Sequence, residues 1–311
     1  MWSLDEELAL RHSAIEWLKI RSDDGAEPLT RDEILDFEYR GQKFRLQATQ
    51  TGIWKPRILR AALSFQTVFR TPGQARPYED EVGRDGLIRY MWRGDDPLHP
   101  DNVGLRFAHE HQLPLIWFIG VGGAPKKYQP VCPVFIVDEE PELKRFVVAP
   151  MDEEAFFLRD RTQDTVMQGT IKRYISRETK VRLHQPVFRS TVLRAYEDRC
   201  AVCNLGHRQL LDAAHIVPDS DDRGVASVVN GLALCKIHHA AFDSFIMGIS
   251  PDHVVHIRPD LLEEIDGPML QHGLKELHGS NLMKLPRARG ERPRRDLLEV
   301  SFNKFLNAEA S

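Results

Sequence analysis

The sequence has few cysteines: 4 in 311 residues, three of them between positions 200 and 235. Cysteine this sparse excludes a disulfide framework of the kind that holds small secreted domains together. Long apolar runs are lacking too, since no stretch approaches the roughly 20 residues that a membrane-spanning helix needs. The N-terminal MWSLDEELALRHSAIEWLKI has no basic start followed by an apolar core, so it lacks the form of a secretory signal. We therefore expect a cytoplasmic protein with no membrane partner.

A strong net charge is also lacking, because 42 Lys and Arg stand against 46 Asp and Glu, a formal net charge of −4. The basic residues are nevertheless clustered, and clustered charge favours binding to nucleic-acid phosphates. One basic segment, residues 172–194, contains Lys172, Arg173, Arg177, Lys180, Arg182, Arg189 and Arg194. A second, residues 284–295, contains Lys284, Arg287, Arg289, Arg292, Arg294 and Arg295. A solvated surface is the alternative for either segment alone. We interpret them as phosphate-contact segments, with Lys172 and Arg173 as named candidates.

Four candidate metal ligands form two pairs of equal spacing between these basic segments. Cys200 and Cys203 form a C-x-x-C pair, and Cys235 and His238 form a C-x-x-H pair. Thiolates and imidazoles are the ligands of structural zinc, and a closed site takes four of them. Buried cysteines acting as small apolar residues are the alternative, but that alternative leaves the second pair unexplained. The spacing predicts a structural Zn²⁺ site that contributes folding free energy.

Three more polar residues lie in apolar surroundings in the same segment. His215 lies in LLDAAHIVP, which we predict to be a β-strand, Asn230 precedes GLALC, and His239 lies in a helical pattern. An imidazole suits proton transfer because its ordinary pKa is near neutrality. A core histidine with a structural hydrogen bond is the alternative for His215. A strand, a loop and a helix around one divalent ion would form a compact phosphodiesterase site.

Residues 200–243 resemble the HNH nucleases through C-x-x-C, AAHIVP, NGLALC and HHAAFD, which occur in this order. The resemblance implies a β-hairpin and a helix around a divalent metal, and a DNA endonuclease that hydrolyses phosphodiester bonds. It implies His215 as general base, Asn230 as the residue that holds the loop and orients the base, and His239 as a ligand of catalytic Mg²⁺ or Mn²⁺.

One position departs from the commonest form of this motif. Many members have Asp or His immediately before the general base, as a metal ligand, where this sequence has Ala214. Asp212 lies two residues earlier, on the same face of the predicted strand. Asp243 lies one helical turn after His239 and could be another ligand. Asp212, His239 and Asp243 are therefore the expected catalytic metal ligands.

The N-terminal half is expected to be rich in strands. KFRLQAT, GLIRYMW, LPLIWFIGV, PVCPVFIV and RFVVAP are short runs rich in β-branched or aromatic residues. Ser3-x-x-Glu6 and Thr30-x-x-Glu33 predict capped helices. A further helix is expected over 101–112, capped by Asp101 or Asn102, and GIWKPR is expected to turn into a helix. Cys132, within PVCPVFIV, is expected to be a buried thiol.

The C-terminal part, after the candidate site, predicts three more elements. FIMGISPDHVVHIRP predicts a strand pair, followed by a helix over 260–278 and a last amphipathic helix near 296–307.

Residues from about 75 to 140 are weakly similar to SRA-type and wider PUA-like base-recognition domains. The similarity rests on a Tyr-Asp pair, RY-x-W-x-G, DN-x-x-L and two apolar strands. It implies that a modified base is flipped out and held between aromatic rings. The candidate base-binding residues are Tyr78, Asp80, Tyr90 and Trp92, with Trp54 and Asp85 as further possibilities; each could instead be a core or turn residue. Lys55 and Arg57 are candidates for DNA phosphate contacts.

The predicted fold class is α+β, in three parts. Residues 1–160 form a PUA/SRA-like recognition domain, 161–190 a basic linker, and 191–311 a zinc-stabilised ββα-metal (HNH) nuclease domain. The predicted function is restriction of double-stranded DNA that carries modified cytosine. Two alternatives stay open: an HNH effector whose N-terminal domain senses a small ligand or a protein, and a zinc DNA-binding module without turnover. Because one HNH site cuts one strand, double-strand cleavage would suggest a homodimer.

Overall fold

The computed structural model of the protein describes residues 1–68, 87–153, 156, 185–218, 221, 224 and 227–309. The chain divides into two compact units, Met1–Val187 and Phe188–Ser311. Most of the expected linker, 161–190, lies outside the described residues, so the proposed domain boundaries stay predictions. Among the described residues, no helix combines the length and the apolar character needed to cross a membrane.

Helices of the N-terminal unit begin at local capping signals. Helix α1 spans Leu4–Arg21 and α2 spans Arg31–Ile34. Both predicted capping boxes are present: the amide of Glu6 donates to Ser3 Oγ at 3.2 Å, and the amide of Glu33 donates to Thr30 Oγ1 at 3.2 Å. Each side-chain oxygen thus bonds an amide that has no acceptor within its own helix.

Helix α3 spans Pro100–Glu110, and its predicted cap is wrong. The cap residue is His99, whose Nδ1 accepts a hydrogen bond from the amide of Asp101 at 3.2 Å. Asn102 is fully buried instead, and its Oδ1 accepts from the amide of Arg93 at 2.8 Å. Asn102 therefore fastens the loop before the helix to the helix itself.

A seven-stranded mixed sheet forms the core of the N-terminal unit. Its strands are β1 (Leu29–Thr30), β4 (Ile53–Trp54), β5 (Ser64–Thr67), β6 (Ile88–Met91), β7 (Leu115–Gly122), β8 (Lys127–Glu140) and β9 (Arg145–Pro150). The order is β4-β5-β7-β8-β9-β6, and β1 also pairs with β8. Strands β5 and β7 run parallel, whereas the other described pairs are antiparallel. A separate two-stranded ribbon joins β2 (Glu38–Tyr39) to β3 (Gln42–Lys43).

Three further local predictions in this unit are wrong. KFRLQAT is not a strand beyond Lys43, because side chains bond its backbone: Ser64 Oγ donates to the carbonyl of Leu46 at 2.5 Å. GIWKPR forms β4 and a turn, not a helix. Pro56 disfavours the helical conformation for the residue before it. The thiol of Cys132 is partly buried, not fully buried as expected.

The described part of the second unit contains two antiparallel strand pairs and several helices around one core. Helix α4 (Gln185–Ala195) leads into it, followed by β10 (Leu211–His215), β11 (Gly231–Cys235), α5 (Lys236–Asp243), β12 (Met247–Ile249), β13 (Val255–Ile257), α6 (Pro259–Glu263), α7 (Pro268–Gly273) and α8 (Arg295–Glu309). The pairs β10–β11 and β12–β13 are antiparallel. The predicted strand pair after residue 243 and the predicted last helix are thereby confirmed.

The helix predicted over 260–278 is wrong in extent. The segment forms α6, α7 and a 3₁₀ turn at Lys275–Leu277. Gly267 adopts an extended conformation (φ −64°, ψ 173°) directly before Pro268. Proline disfavours a helical conformation at the residue before it and lacks the amide that would continue the hydrogen-bond ladder.

The C-terminal elements belong to the same packed core as the β10–β11 hairpin. A Cβ atom at Gly248, in β12, would lie 2.6 Å from two ring atoms of Phe305, in α8. Phe305 is buried. The amide of Lys284 donates to the carbonyl of Ala201 at 3.1 Å. These contacts confirm a mixed α+β fold in which residues far apart in sequence share one core.

Candidate active site and metal centre

The β10–β11 hairpin positions the candidate catalytic residues. In its register His215 lies opposite Gly231, and Leu211 lies opposite Cys235. A side chain at Gly231 would collide with Val192 and bring a Cβ to 3.0 Å from the ring of Phe188. Phe188 also stacks on the imidazole of His215, with ring centroids 3.9 Å apart and planes 10° apart. Glycine at this position thus allows α4 to pack closely against the hairpin at His215.

Asn230 fixes the backbone that follows His215. Its side chain is fully buried; Oδ1 accepts from the amide of Val217 and Nδ2 donates to the carbonyl of Val217, each at 2.9 Å. The main-chain carbonyl of Asn230 accepts from the amide of Ile216 at 2.9 Å. This arrangement agrees with the positioning role that the sequence pattern predicts for Asn230.

His239 lies between two carboxylates. Its Nδ1 is 3.6 Å from Asp212 Oδ2, and its Nε2 is 3.3 Å from Asp243 Oδ2. Asp212 comes from β10, whereas His239 and Asp243 are one turn apart on α5. The side chain of Asp243 is 63% exposed and that of His239 is 25% exposed. The structure therefore brings all three predicted catalytic metal ligands together at a partly exposed surface.

Two cations also contact Asp212. Lys236 Nζ forms an ion pair with Oδ2, and Arg189 Nε lies 3.4 Å from Oδ1. The hydrogen bond with His239 lowers the pKa of the Asp212 carboxyl well below its ordinary value, although burial opposes this, and Lys236 lowers it further. The same hydrogen bond raises the pKa of His239, against burial. Asp212 is therefore ionised at neutral pH.

The donor set at His239 fits a divalent ion. Two carboxylates and one imidazole are donors that suit Mn²⁺, and carboxylate oxygens suit Mg²⁺. Each ring nitrogen of His239 faces a carboxylate, so either nitrogen can bind an ion while the other donates to an acid, as metal-binding histidines commonly do. Lys236 contacts the Asp212 carboxylate that such an ion would share. The motif spacing gave no signal for this lysine.

A second cluster contains Cys200, Cys203, Cys235 and His238. One ligand atom from each lies within 4.8 Å of all the others. His238 Nδ1 lies 3.1 Å from Cys235 Sγ and 3.5 Å from Cys200 Sγ. Ligand atoms of a tetrahedral zinc site are spaced by roughly 3.5–4 Å. The predicted four-ligand cluster is therefore present with a geometry that suits a metal ion.

Charge and hydrogen bonding within this cluster also suit a cation. Hydrogen bonding to Cys200 raises the pKa of the Cys203 thiol, so the thiols resist joint ionisation without an ion between them. Burial alone would lower the pKa of His238, but Cys200 and Cys235 raise it to about 10. On its other side, His238 Nε2 lies 2.8 Å from the carbonyl of Gly273. That contact leaves Nδ1 facing the thiols and fixes the ring orientation.

Comparison with known proteins agrees with this geometry. Residues 200–250 match the family model described as HNH endonuclease. This segment is an HNH endonuclease domain. The match confirms the prediction of an HNH-type DNA endonuclease, and it covers the β10–β11 hairpin, α5, β12 and three of the four cysteines. HNH nucleases use a divalent metal, and the two clusters described above supply candidate ligands.

Two solved structures show a distant likeness over most of the chain. The first, "Modification dependent TagI restriction endonuclease", is 15% identical with a TM-score of 0.28, and the alignment covers 82% of this chain and 85% of that chain. The second, "Structure of the Type IV phosphorothioation-dependent restriction endonuclease ScoMcrA", is 14% identical with a TM-score of 0.24, covering 92% of this chain and 59% of that chain. No curated protein matches the sequence at a significant level.

The candidate base-binding residues occupy varied positions. Tyr78 and Asp80, like Asp85, lie outside the described residues. Tyr90 is only 7% exposed and packs on Phe65 with ring centroids 4.5 Å apart, so stacking on a base would require its ring to leave the core. Trp92 is partly buried beneath the guanidinium of Arg106, 4.8 Å from its ring centroid. Base binding by these residues stays a prediction.

The candidate phosphate contacts also differ in setting. Lys172 and Arg173 lie outside the described residues. Arg57 is exposed, whereas Lys55 is partly buried and its Nζ donates to the carbonyl of Leu59 at 3.1 Å. Their roles in DNA binding stay predictions.

Several members of the flanking basic segments pair with acids inside the second unit. Arg189 contacts Asp212, Arg194 pairs with Glu291, and Lys284 Nζ lies 2.7 Å from Glu197 Oε2. These three side chains therefore contribute to the fold of the unit. Phosphate contact by the two basic segments stays a prediction.

Proposed function

We propose that the protein is a restriction-type endonuclease that hydrolyses double-stranded DNA carrying modified cytosine. One observation carries the nuclease part of this proposal: His239 lies 3.6 Å from Asp212 and 3.3 Å from Asp243, on the helix that follows the hairpin of His215. Carboxylates and an imidazole converging at a partly open surface are what metal-assisted phosphodiester hydrolysis needs.

In this proposal the residues divide the chemistry between them. His215 takes a proton from the water that attacks the phosphorus atom. Asn230 keeps the backbone after His215 in place through its bonds to Val217. Asp212, His239 and Asp243 would hold catalytic Mg²⁺ or Mn²⁺, which would stabilise the charge that develops on the phosphate and on the leaving oxygen.

The cysteine-histidine cluster takes a structural role in this proposal. Cys200, Cys203, Cys235 and His238 would hold Zn²⁺ in a closed four-ligand site. Cys235 ends β11 and His238 lies in the first turn of α5. Zinc at this point would fix the start of the helix that carries His239.

The N-terminal unit is proposed to choose the DNA. A PUA/SRA-like architecture for residues 1–160, joined through a basic linker at 161–190 to the nuclease part at 191–311, would supply recognition of a modified base. The sequence similarity over about 75–140 supports this division. Paired action of two chains on the two strands, as a homodimer in the cytoplasm, completes the proposal.

Cleavage assays on matched plasmids test the proposed function. The plasmids carry unmodified, 5-methyl-, 5-hydroxymethyl- or glucosylated cytosine and are incubated with the full chain and Mg²⁺ or Mn²⁺. We expect cleavage of at least one modified plasmid and little cleavage of the unmodified one. Equal cleavage of all four plasmids would contradict the modification dependence and leave the nuclease assignment intact. Absence of cleavage under all conditions would favour a zinc DNA-binding module.

A further inference from the structure

A cleft of about 800 Å³ lies in the N-terminal unit. It lies where the parallel strands β5 and β7 end and where the turn to β8 begins, since Thr67, Gly120, Gly122 and Lys126 all line it. Thr67 pairs with Ile119 in the parallel register, which brings these ends together. Ligand pockets typically measure roughly 300–1,000 Å³. The cleft therefore has room for a small organic ligand.

Two polar side-chain atoms of the lining are buried. Gln66 Oε1 and Thr67 Oγ1 are buried, and neither has a hydrogen-bond partner in the part of the chain that the structure describes. Thr67 as a whole is 7% exposed. The side-chain nitrogen Nε2 of Gln66 donates to the carbonyl of Thr51 at 2.8 Å, which fixes the side-chain amide and leaves Oε1 as an acceptor. Buried polar atoms are nearly always hydrogen-bonded, so this pair indicates a ligand with a polar edge.

The rim of the cleft is basic. Arg31, Lys126 and Lys127 line it, against one acid, Asp32. The guanidinium of Arg31 is held in place, because it donates to the carbonyl of Thr49 at 2.9 Å and to the hydroxyl of Tyr128 at 3.1 Å. Positive charge at the mouth of a concave site favours an anionic ligand.

One wall of the cleft is made of glycine backbone. Gly120, Gly122 and Gly123 line it, and Gly122 and Gly123 have positive φ of 81° and 100°. Without side chains here, a flat ligand can approach the main chain closely. Tyr128 also lines the cleft.

We infer that this cleft binds a nucleotide, with the edge of its base against Gln66 and Thr67 and its phosphate at Lys126 and Lys127. An acceptor beside a hydroxyl can recognise the amine and ring nitrogen of a base edge. The inference rests on the recognition role proposed for the N-terminal unit and places recognition on residues other than Tyr90 and Trp92. The nucleotide is either free in solution or turned out of a DNA duplex.

Binding by the full chain tests this inference, without added Mg²⁺ or Mn²⁺ so that DNA is not cut. The probes are dCMP, 5-methyl-dCMP, and two labelled duplexes that carry cytosine or 5-methylcytosine. Thr67→Val removes the hydroxyl and keeps the shape, whereas Thr67→Ser keeps the hydroxyl. Lys126→Gln with Lys127→Gln removes the rim charge. Lys144→Gln, an exposed lysine that is not in the cleft lining, is the matched control. Thermal unfolding of each variant checks its fold.

We expect Thr67→Val to weaken binding of at least one probe about tenfold, the effect of one lost hydrogen bond to a buried group, with Thr67→Ser close to wild type. The double lysine variant should weaken binding about fivefold at low salt and less at high salt. If the cleft variants bind the mononucleotides more weakly than the wild type does, the ligand is a free nucleotide. If only duplex binding is weakened, the ligand is a nucleotide of DNA.

The inference is overturned if the wild type binds no probe, or if folded cleft variants bind every probe as Lys144→Gln does. Should Thr67→Val unfold, the lysine variant decides. The proposed function fails by a different result, equal cleavage of modified and unmodified plasmids. That result would not change the binding of a mononucleotide to the cleft.

Discussion

The side chain of Asn230 bonds both main-chain polar groups of Val217: Oδ1 accepts from the amide and Nδ2 donates to the carbonyl, each at 2.9 Å. Because Ile216 also donates to the carbonyl of Asn230, both residues after His215 are fixed. An amide side chain is suited to this task because it carries a donor and an acceptor on one planar group.

Asn230→Asp is the sharpest test of this arrangement. The aspartate keeps the acceptor for the Val217 amide but sets a second oxygen against the Val217 carbonyl. We expect the free energy of unfolding to fall by about 2–3 kcal/mol, because a buried acceptor then lacks a donor. DNA cleavage should slow in parallel. Chemical denaturation and single-turnover cleavage measure both effects, with the exposed Asn303→Asp as control. A variant as stable as the control would contradict the role of the paired bonds.

His215→Ala tests the general base. Loss of a positioned base typically slows a reaction about 10²–10⁴-fold. We expect such a loss with DNA binding preserved, although the ring contact with Phe188 makes a modest loss of stability natural. Cleavage rates are compared with those of His207→Ala, an exposed histidine outside the motif. Near wild-type cleavage by the His215 variant would remove this residue from the mechanism.

Cys203→Ser tests the metal cluster. Metal analysis of the wild type should give about one zinc per chain, as one four-ligand site requires. The variant should lose this zinc and unfold at a lower temperature, since metal binding at such a site contributes to folding. Cys132→Ser, outside the cluster, should keep both properties. A folded, active wild type without zinc would overturn the assignment.

Affinity for Mn²⁺ should depend on pH through His239. A proton and a metal ion compete for its imidazole, and the hydrogen bond with Asp212 raises its pKa above the ordinary value. We therefore expect Mn²⁺ affinity to increase as pH rises toward that raised pKa. Asp212→Asn should weaken binding and move the remaining pH dependence to lower pH. Calorimetric titration across the neutral range measures this, with the exposed Asp252→Asn as control. Affinity that does not change with pH would exclude His239 as a ligand.

In the metal-free protein, the contribution of His239 to the free energy of unfolding should decrease as pH rises, whereas Mn²⁺ affinity increases. A group whose pKa is raised on folding stabilises the folded state below its unfolded pKa, and that contribution is lost as pH rises through the folded value. Folding lowers the pKa of Asp212. Its contribution to the stability of the folded state is therefore present above its unfolded pKa and is lost as pH falls through the folded value.

Local signals in the sequence predicted local structure well. The capping boxes at Ser3 and Thr30 involve residues three positions apart, so the sequence alone contains both partners. The metal cluster was predictable for a related reason, because a two-residue spacing constrains both members of each pair. KFRLQAT failed because the hydroxyl of Ser64 bonds its backbone, and that contact depends on the tertiary fold.

Interactions across the hairpin could not be predicted in the same way. Asp212 was expected as a ligand, yet its contact with Lys236 depends on the register that sets β10 against β11 and the start of α5. Similarly, Arg194 was grouped with phosphate-binding residues but pairs with Glu291, nearly a hundred residues later in the chain. Charge patterns in a sequence do not specify which partners folding will bring together.

The contact between Gly248 and Phe305 bears on where the nuclease module ends. The family match stops at residue 250, but a ring from α8 fills the space that a side chain at Gly248 would occupy. Truncation after the matched segment would expose β12 and remove an aromatic residue from the core. The matched segment is therefore shorter than the packed core to which it belongs. Transplanting the motif between proteins would require moving its C-terminal helix as well.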